Sequence, residues 1–167
     1  MRILLILAIE PGGEAGPAPE FDGLLEAYYL FCDAGLELVV ASPSGGSAWA
    51  ASDRANASAD LARRFRADPQ ARDTLNDLLR LEDVHAEDFV AAFCLGFGRF
   101  DWSGLAEDRA GALIWDLLML GRAVAVISPG DAHPISGPGK GLLIIGRTPQ
   151  TPGLAARALL GAIGRWG

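Results

Sequence analysis

Short runs of consecutive apolar residues alternate along this chain with longer segments in which apolar residues recur at every third or fourth position. Ile3 to Ile9 is apolar throughout, without polar residues at alternate positions, and so predicts a strand covered on both faces. Phe21, Leu24, Leu25, Tyr28 and Tyr29 fall three and four apart and predict a helix over 21–34, closed by Gly35. A second strand follows at Glu37 to Ala41. Residues 42–58, rich in Ser, Gly, Ala and Asn, read as a long surface excursion. Two helices are expected over 59–66 and 69–79, the second with Asp68 as N-cap and Pro69 at its first position. Phe89 to Leu95 is apolar enough for a central strand, and Gly96-Phe97-Gly98 turns away from its end. The pattern continues with a helix over 106–120 closed by Gly121 and a strand at Ala123 to Ile127. A Gly/Pro-rich loop over 129–141, a strand at Leu142 to Ile145 and a helix at Leu154 to Ile163 complete it.

Strands alternating with helix-length segments are the signature of βαβ units, so the fold class is α/β: a three-layer sandwich whose mainly parallel sheet is covered by helices on both faces. At 167 residues the chain matches a single domain, taken here as 1–167.

Half the residues are apolar and 21% charged, a globular balance. The net charge of −7, with scattered cations, argues against a nucleic-acid partner. The denser stretch Arg63, Arg64 and Arg66 is followed by Asp68, Asp73 and Asp77 and reads as a solvated helix face. Two cysteines, Cys32 and Cys94, are too few for a disulfide framework, and with two histidines no zinc spacing is present, so a cytoplasmic location, no metal and no cofactor are expected. No apolar run approaches the length needed to cross a bilayer, and the first one lacks a cleavage pattern after it.

In an open parallel sheet, ligands gather beyond the carboxyl ends of the strands, where helix N-termini present unpaired N–H groups. Two segments are expected there: Cys94 to Trp102, and Ser128-Pro129-Gly130-Asp131. The stretch GRAVAVISPGDAH (121–133) resembles the ThiJ/PfpI motif in which a strand ends in a sharp turn carrying a nucleophilic Cys, usually followed by His and Gly. Five further segments agree in order: 28–46, 59–69, 81–93, 95–108 and 141–163, so the resemblance covers nearly the whole chain. It implies a flavodoxin-like sandwich related to class I glutamine amidotransferases, usually dimeric. The family includes glyoxalases and deglycases acting on reactive carbonyls, small chaperones, isonitrile hydratases and peptidases. Its site combines the elbow Cys, a Glu from the first βα loop and often a neighbouring His, because a thiol is useful where nearby donors favour its thiolate.

Against that pattern this chain places Ser128 at the elbow and Pro129 after it, aligns Gly23 with the family's Glu, and has bulky Phe97 where a second glycine is expected. Asp22, beside Gly23, is the nearest carboxylate. Relative to the family the chain is also shortened between about 134 and 141, which implies a shallower and wetter pocket.

The candidate catalytic residues are therefore Ser128, Asp22, His133 and Asp131, and the candidate ligand-binding residues are Gly96, Phe97, Gly98, Arg99, Trp102, Cys94, Pro129 and Gly130. Each carries a plainer alternative. Ser128 reads first as a helix N-cap and only second as a nucleophile served by His133 and Asp131, and Cys94 first as a small core residue and only second as a reactive thiol. Arg99 either clamps an anion or pairs with Asp101 or Glu107. Trp102, Phe97 and Phe100 line a pocket or simply pack. Cys32 belongs to core or interface, His85 to the surface, and Gly137-Pro138-Gly139-Lys140-Gly141 lacks P-loop spacing and reads as a turn.

The expected function is a small-molecule pocket at the elbow with hydratase-, lyase- or isomerase-type chemistry on a small carbonyl or acyl metabolite and no Cys nucleophile. Two alternatives stay open: a non-catalytic pseudoenzyme binding a ligand or a paralogous partner, and a hydrolase using Ser128. A homodimer is implied by the resemblance.

Overall fold

The computed structural model describes residues 1–7, 21–47, 59–96, 109–127, 140–146 and 151–166; of residues 21, 22, 59, 146, 151, 165 and 166 it describes the backbone alone. Among these the strands are β1 (Arg2–Leu7), β2 (Glu37–Ser42), β3 (Leu79–Arg80), β4 (Ala91–Leu95), β5 (Ala123–Ile127) and β6 (Leu142–Gly146). The helices are α1 (Phe21–Asp33), α2 (Ala59–Ala67), α3 (Pro69–Asn76), α4 (Arg109–Met119) and α5 (Thr151–Trp166).

All strand pairs are parallel, in the order β3-β2-β1-β4-β5-β6. Without the two-residue β3, this is the flavodoxin order, and the direction of winding reverses between β1 and β4. Odd and even strand residues separate to the two faces, as a period of two requires. Ile3, Leu5, Leu7, Ala91, Phe93 and Leu95 meet α1, α5 and the buried residues of α2 and α3. Leu4, Ile6, Ala92, Cys94, Val124 and Val126 meet α4 and the turn residues Leu81, Val84, Ala86 and Phe89. With both faces covered, Ile3 to Leu7 are fully buried, which is why the sequence there is continuously apolar.

Local chemistry explains most element ends. Gly35 and Gly121 close α1 and α4 with φ of +75° each, a region that favours glycine. Asp68 caps α3, its carboxylate accepting from the Ala71 N–H at 3.0 Å. Asp68 also accepts from the Tyr29 hydroxyl at 3.4 Å, and the Arg64 guanidinium stacks on the Tyr29 ring while pairing with Asp33 at 2.9 Å, which ties α2 and α3 to α1.

Three expectations shift. The helix expected over 69–79 ends at Asn76, because Gly45 and Gly46 turn the chain with φ of +71° and +92°. That turn brings the Gly46 carbonyl to the Leu78 N–H at 2.8 Å, and Leu79–Arg80 pair with Ala41–Ser42. Phe89 closes a 3-10 turn instead of opening β4. The last helix begins three residues early, at Thr151, since Pro152 is tolerated in a first turn. No helix among the described residues is long and apolar enough to cross a membrane.

Candidate functional site

The register fixes where the carboxyl ends of the strands lie. Leu7 pairs with Leu95, Cys94 with Val126, and Ile127 with Gly146, so β1, β4, β5 and β6 end at one level, side by side about 4.8 Å apart. Helices α1, α4 and α5 each follow one of these strands and begin at the same edge. Their first-turn N–H groups have no intrahelical acceptor, and the helix dipole favours negative charge there. The edge is thus suited to an anionic or polarised oxygen. Gly96, the first residue beyond β4, has φ of +83°, so the chain leaves that strand by a turn that favours glycine.

Two of the candidate residues fall within the described side chains and backbone. Gly96 stands at the edge, as just given. Cys94 is fully buried on the α4 side of the sheet among Ala92, Val124, Val126 and Ile114, and burial pushes its thiol well above the usual range. A neutral, solvent-free thiol is neither a nucleophile nor a rim ligand, so Cys94 is a core residue here. The side chain of Asp22, and Phe97, Gly98, Arg99, Trp102, Ser128, Pro129, Gly130, Asp131 and His133, lie outside the described residues. Phe100, Asp101 and Glu107, named with them, also do. Cys32 is half-buried against the α1 side of the core with its thiol raised, chiefly by burial and against a lowering hydrogen bond from Tyr28. His85 is exposed. Among the described residues no group of three or more His, Cys, Asp or Glu side chains is placed to hold a metal ion.

Thiol accessibility checks this directly. With two cysteines in the chain, Ellman's reagent should label at most one in the native protein, slowly, at Cys32. Both should label in guanidinium chloride, and fast native labelling of Cys94 would place it at an open rim after all.

Packing of the first turns of α1 and α5 was invisible in the sequence. A Cβ on Gly23 would lie 2.7 Å from Cγ and 3.0 Å from Cβ of Pro152, and the Glu26 carboxylate lies against Gly153 while pairing with Arg157 at 3.6 Å. Gly23 is the position the resemblance assigns to the family's Glu, and any side chain there would collide with a stiff ring. We expect Gly23→Ala to cost about 1–3 kcal/mol in urea unfolding. Adding Pro152→Ala should recover much of that loss, a departure from additivity of the kind contacting residues show. Simple additivity would mean that the contact is not the cause.

At the start of α4, Arg109 donates to the Leu81 carbonyl at 3.2 Å through Nε and to the Val84 carbonyl at 2.8 Å through Nη2, fastening that helix to the 81–89 segment. A cation in a helix's first turn opposes the dipole, so no sequence rule singles it out.

No protein-family model matches the sequence, and no curated protein matches it. Solved structures do resemble it. A ThiJ/PfpI domain protein from Brachyspira murdochii superposes with a TM-score of 0.61 at 16% identity, over 98% of this chain and 96% of that one. Glyoxalase III from Candida albicans gives a TM-score of 0.62 at 13% identity, over 96% of each chain. Rapid Encystment Protein 24 KDa from Francisella tularensis gives 0.67 at 12% identity, over 97% of this chain and 98% of that one. With its strand order, its covered parallel sheet and these likenesses across nearly its whole length, the chain has the fold of the ThiJ/PfpI proteins.

Proposed function

We propose that the protein binds a small carbonyl or acyl metabolite at the carboxyl edge of the sheet and acts on it by acid/base steps, hydration, elimination or isomerisation, without a cysteine adduct. The observation that carries this reading is the level ending of β1, β4, β5 and β6 beside the winding reversal, with three helices starting at the same edge. The burial of Cys94 supports the exclusion of thiol chemistry, since the other cysteine lies on α1 and the residue following β5 is Ser128. In this reading Ser128 and Asp22 bind and polarise the carbonyl oxygen or move its proton, His133 and Asp131 serve as further acid/base groups, and Arg99 orients an anionic substituent. Gly96, Phe97, Gly98, Trp102, Pro129 and Gly130 complete the pocket wall. The fold shared with a glyoxalase III favours reactive carbonyls as the substrate class to test first. We also read the chain as one domain acting in the cytoplasm as a homodimer, supported by its two free cysteines and the family resemblance.

A panel of small aldehydes and 2-oxoaldehydes tests the assignment. Turnover by the wild type should fall at least about 100-fold in the Ser128→Ala, Asp22→Ala double variant, the usual weight of positioned acid/base groups. Unchanged turnover removes the assignment. A ligand-binding role without catalysis is the second reading, favoured by the Gly23–Pro152 contact and the buried Cys94, which leave the family's acid and thiol without counterparts. It predicts ligand-induced stabilisation with no turnover in the same panel. A hydrolase using Ser128 predicts a fluorophosphonate adduct on that residue.

A further inference from the structure

We infer that Glu26 is an acid/base residue of the site, the carboxylate that takes a proton from the carbon beside a carbonyl and returns it in the isomerisation of a small α-hydroxy aldehyde or ketone. The inference rests on the reading above and narrows its chemistry and substrate class. Glu26 stands in the second turn of α1, on the side turned to α5, because Gly23, three residues earlier, meets the Pro152 ring. Helix side chains slant toward the N-terminal end, so its carboxylate reaches back toward the edge where α1 begins. The carboxylate ends in the space that a Cβ on Gly153 would fill, and Gly153 is the third residue of α5, which begins at the same edge. Both helices therefore bring it to the level of their first turns.

The seat fixes the group without closing it off. Gly153 is buried, and the place left by its missing Cβ is what admits the carboxylate. Arg157, one turn further along α5, stands 3.6 Å away, beyond ordinary hydrogen-bond length, and an exposed ion pair of that kind adds little to stability. The side chain of Glu26 is 39% exposed, so a solute can reach a group that two helices hold still. A carboxylate so placed is suited to carry one proton. When it takes the hydrogen of a carbon that bears a hydroxyl beside a carbonyl, the electrons of the broken C–H bond form a C=C bond and charge the carbonyl oxygen. That oxygen takes the hydroxyl proton, the new oxyanion re-forms a carbonyl, and Glu26 returns its proton to the former carbonyl carbon. There is no net oxidation and no co-reactant. The charge passes between two neighbouring oxygens, which the first-turn N–H groups at this edge favour.

Deuterium uptake from D2O into hydroxyacetone and glyceraldehyde, followed by proton NMR, tests the inference on the full chain. The wild type should exchange the hydrogen of the hydroxyl-bearing carbon, and Glu26→Gln, which is of the same size, should lower that rate at least about 100-fold. Glu26→Asp should restore part of it. Gly153→Ala evicts the carboxylate and leaves it chemically intact, so it should slow exchange at least about tenfold in the wild type and no further in Glu26→Gln, circular dichroism confirming that each variant folds. Turnover of the aldehyde panel without exchange, or exchange indifferent to Glu26→Gln, overturns the role of Glu26 and keeps the reading above. A wild type inert in both assays overturns the two together.

Discussion

Phe93→Ala should lower the unfolding free energy by about 3–5 kcal/mol, the range for emptying an aromatic site in a packed core. Phe93 is fully buried in the middle of β4 and meets Phe31 of α1 edge-on, with ring centroids 5.5 Å apart and planes at 70°. Its neighbours across the sheet are Leu5 and Ala125. Ala125 is too small to fill the space, and Phe31 is held by its helix, so collapse around the vacancy is limited. For a domain of this size the loss corresponds to a fall in Tm of roughly 10–15 °C. Calorimetry would check it, and a shift of only a few degrees would show that the layer between the sheet and α1 repacks freely.

The second large effect is expected at Gly141. Its Cβ would lie 2.7 Å from the Arg122 carbonyl oxygen, 2.7 Å from Leu118 Cα and 2.8 Å from the Leu118 carbonyl oxygen. All three are main-chain atoms, which yield far less readily than a flexible side chain. The Gly141 N–H also donates to that Leu118 carbonyl at 3.2 Å, and Gly121 and Gly141 share it as acceptor. Alanine must therefore separate β6 from the end of α4, at about 2–3 kcal/mol. Urea denaturation gives the figure, and hydrogen exchange should show protection lost first in β6. A neutral substitution would mean that the chain approaches α4 less closely than the structure describes.

These two positions differ in how legible they were. Phe93 sits in an uninterrupted apolar run and was readable as core, as was β5, whose five residues are bounded by Gly121-Arg122 and Ser128. The end of α3 was not readable, because Leu75, Leu78 and Leu79 keep helical spacing while the Gly45-Gly46 turn decides where the helix stops. At the candidate edge the sequence located the strand ends through their glycines and loops. It could not assign Cys94, since whether a strand's penultimate residue faces core or rim depends on register with neighbours and on what covers that face. The contact between Gly23 and Pro152 joins residues far apart in the chain and leaves no local pattern.

The position of β1 in the sheet bears on biosynthesis. Its two partners are made at different times: β2 follows after a single helix, but β4 is translated about ninety residues later, roughly 5–20 s at ordinary elongation rates. Over that interval Ile3 to Leu7, which end fully buried at the centre of the sheet, have one edge paired and the other open. A nascent chain paused between α3 and β4 therefore carries a continuously apolar strand without its β4 partner, and slower translation through that stretch should raise its dependence on chaperones.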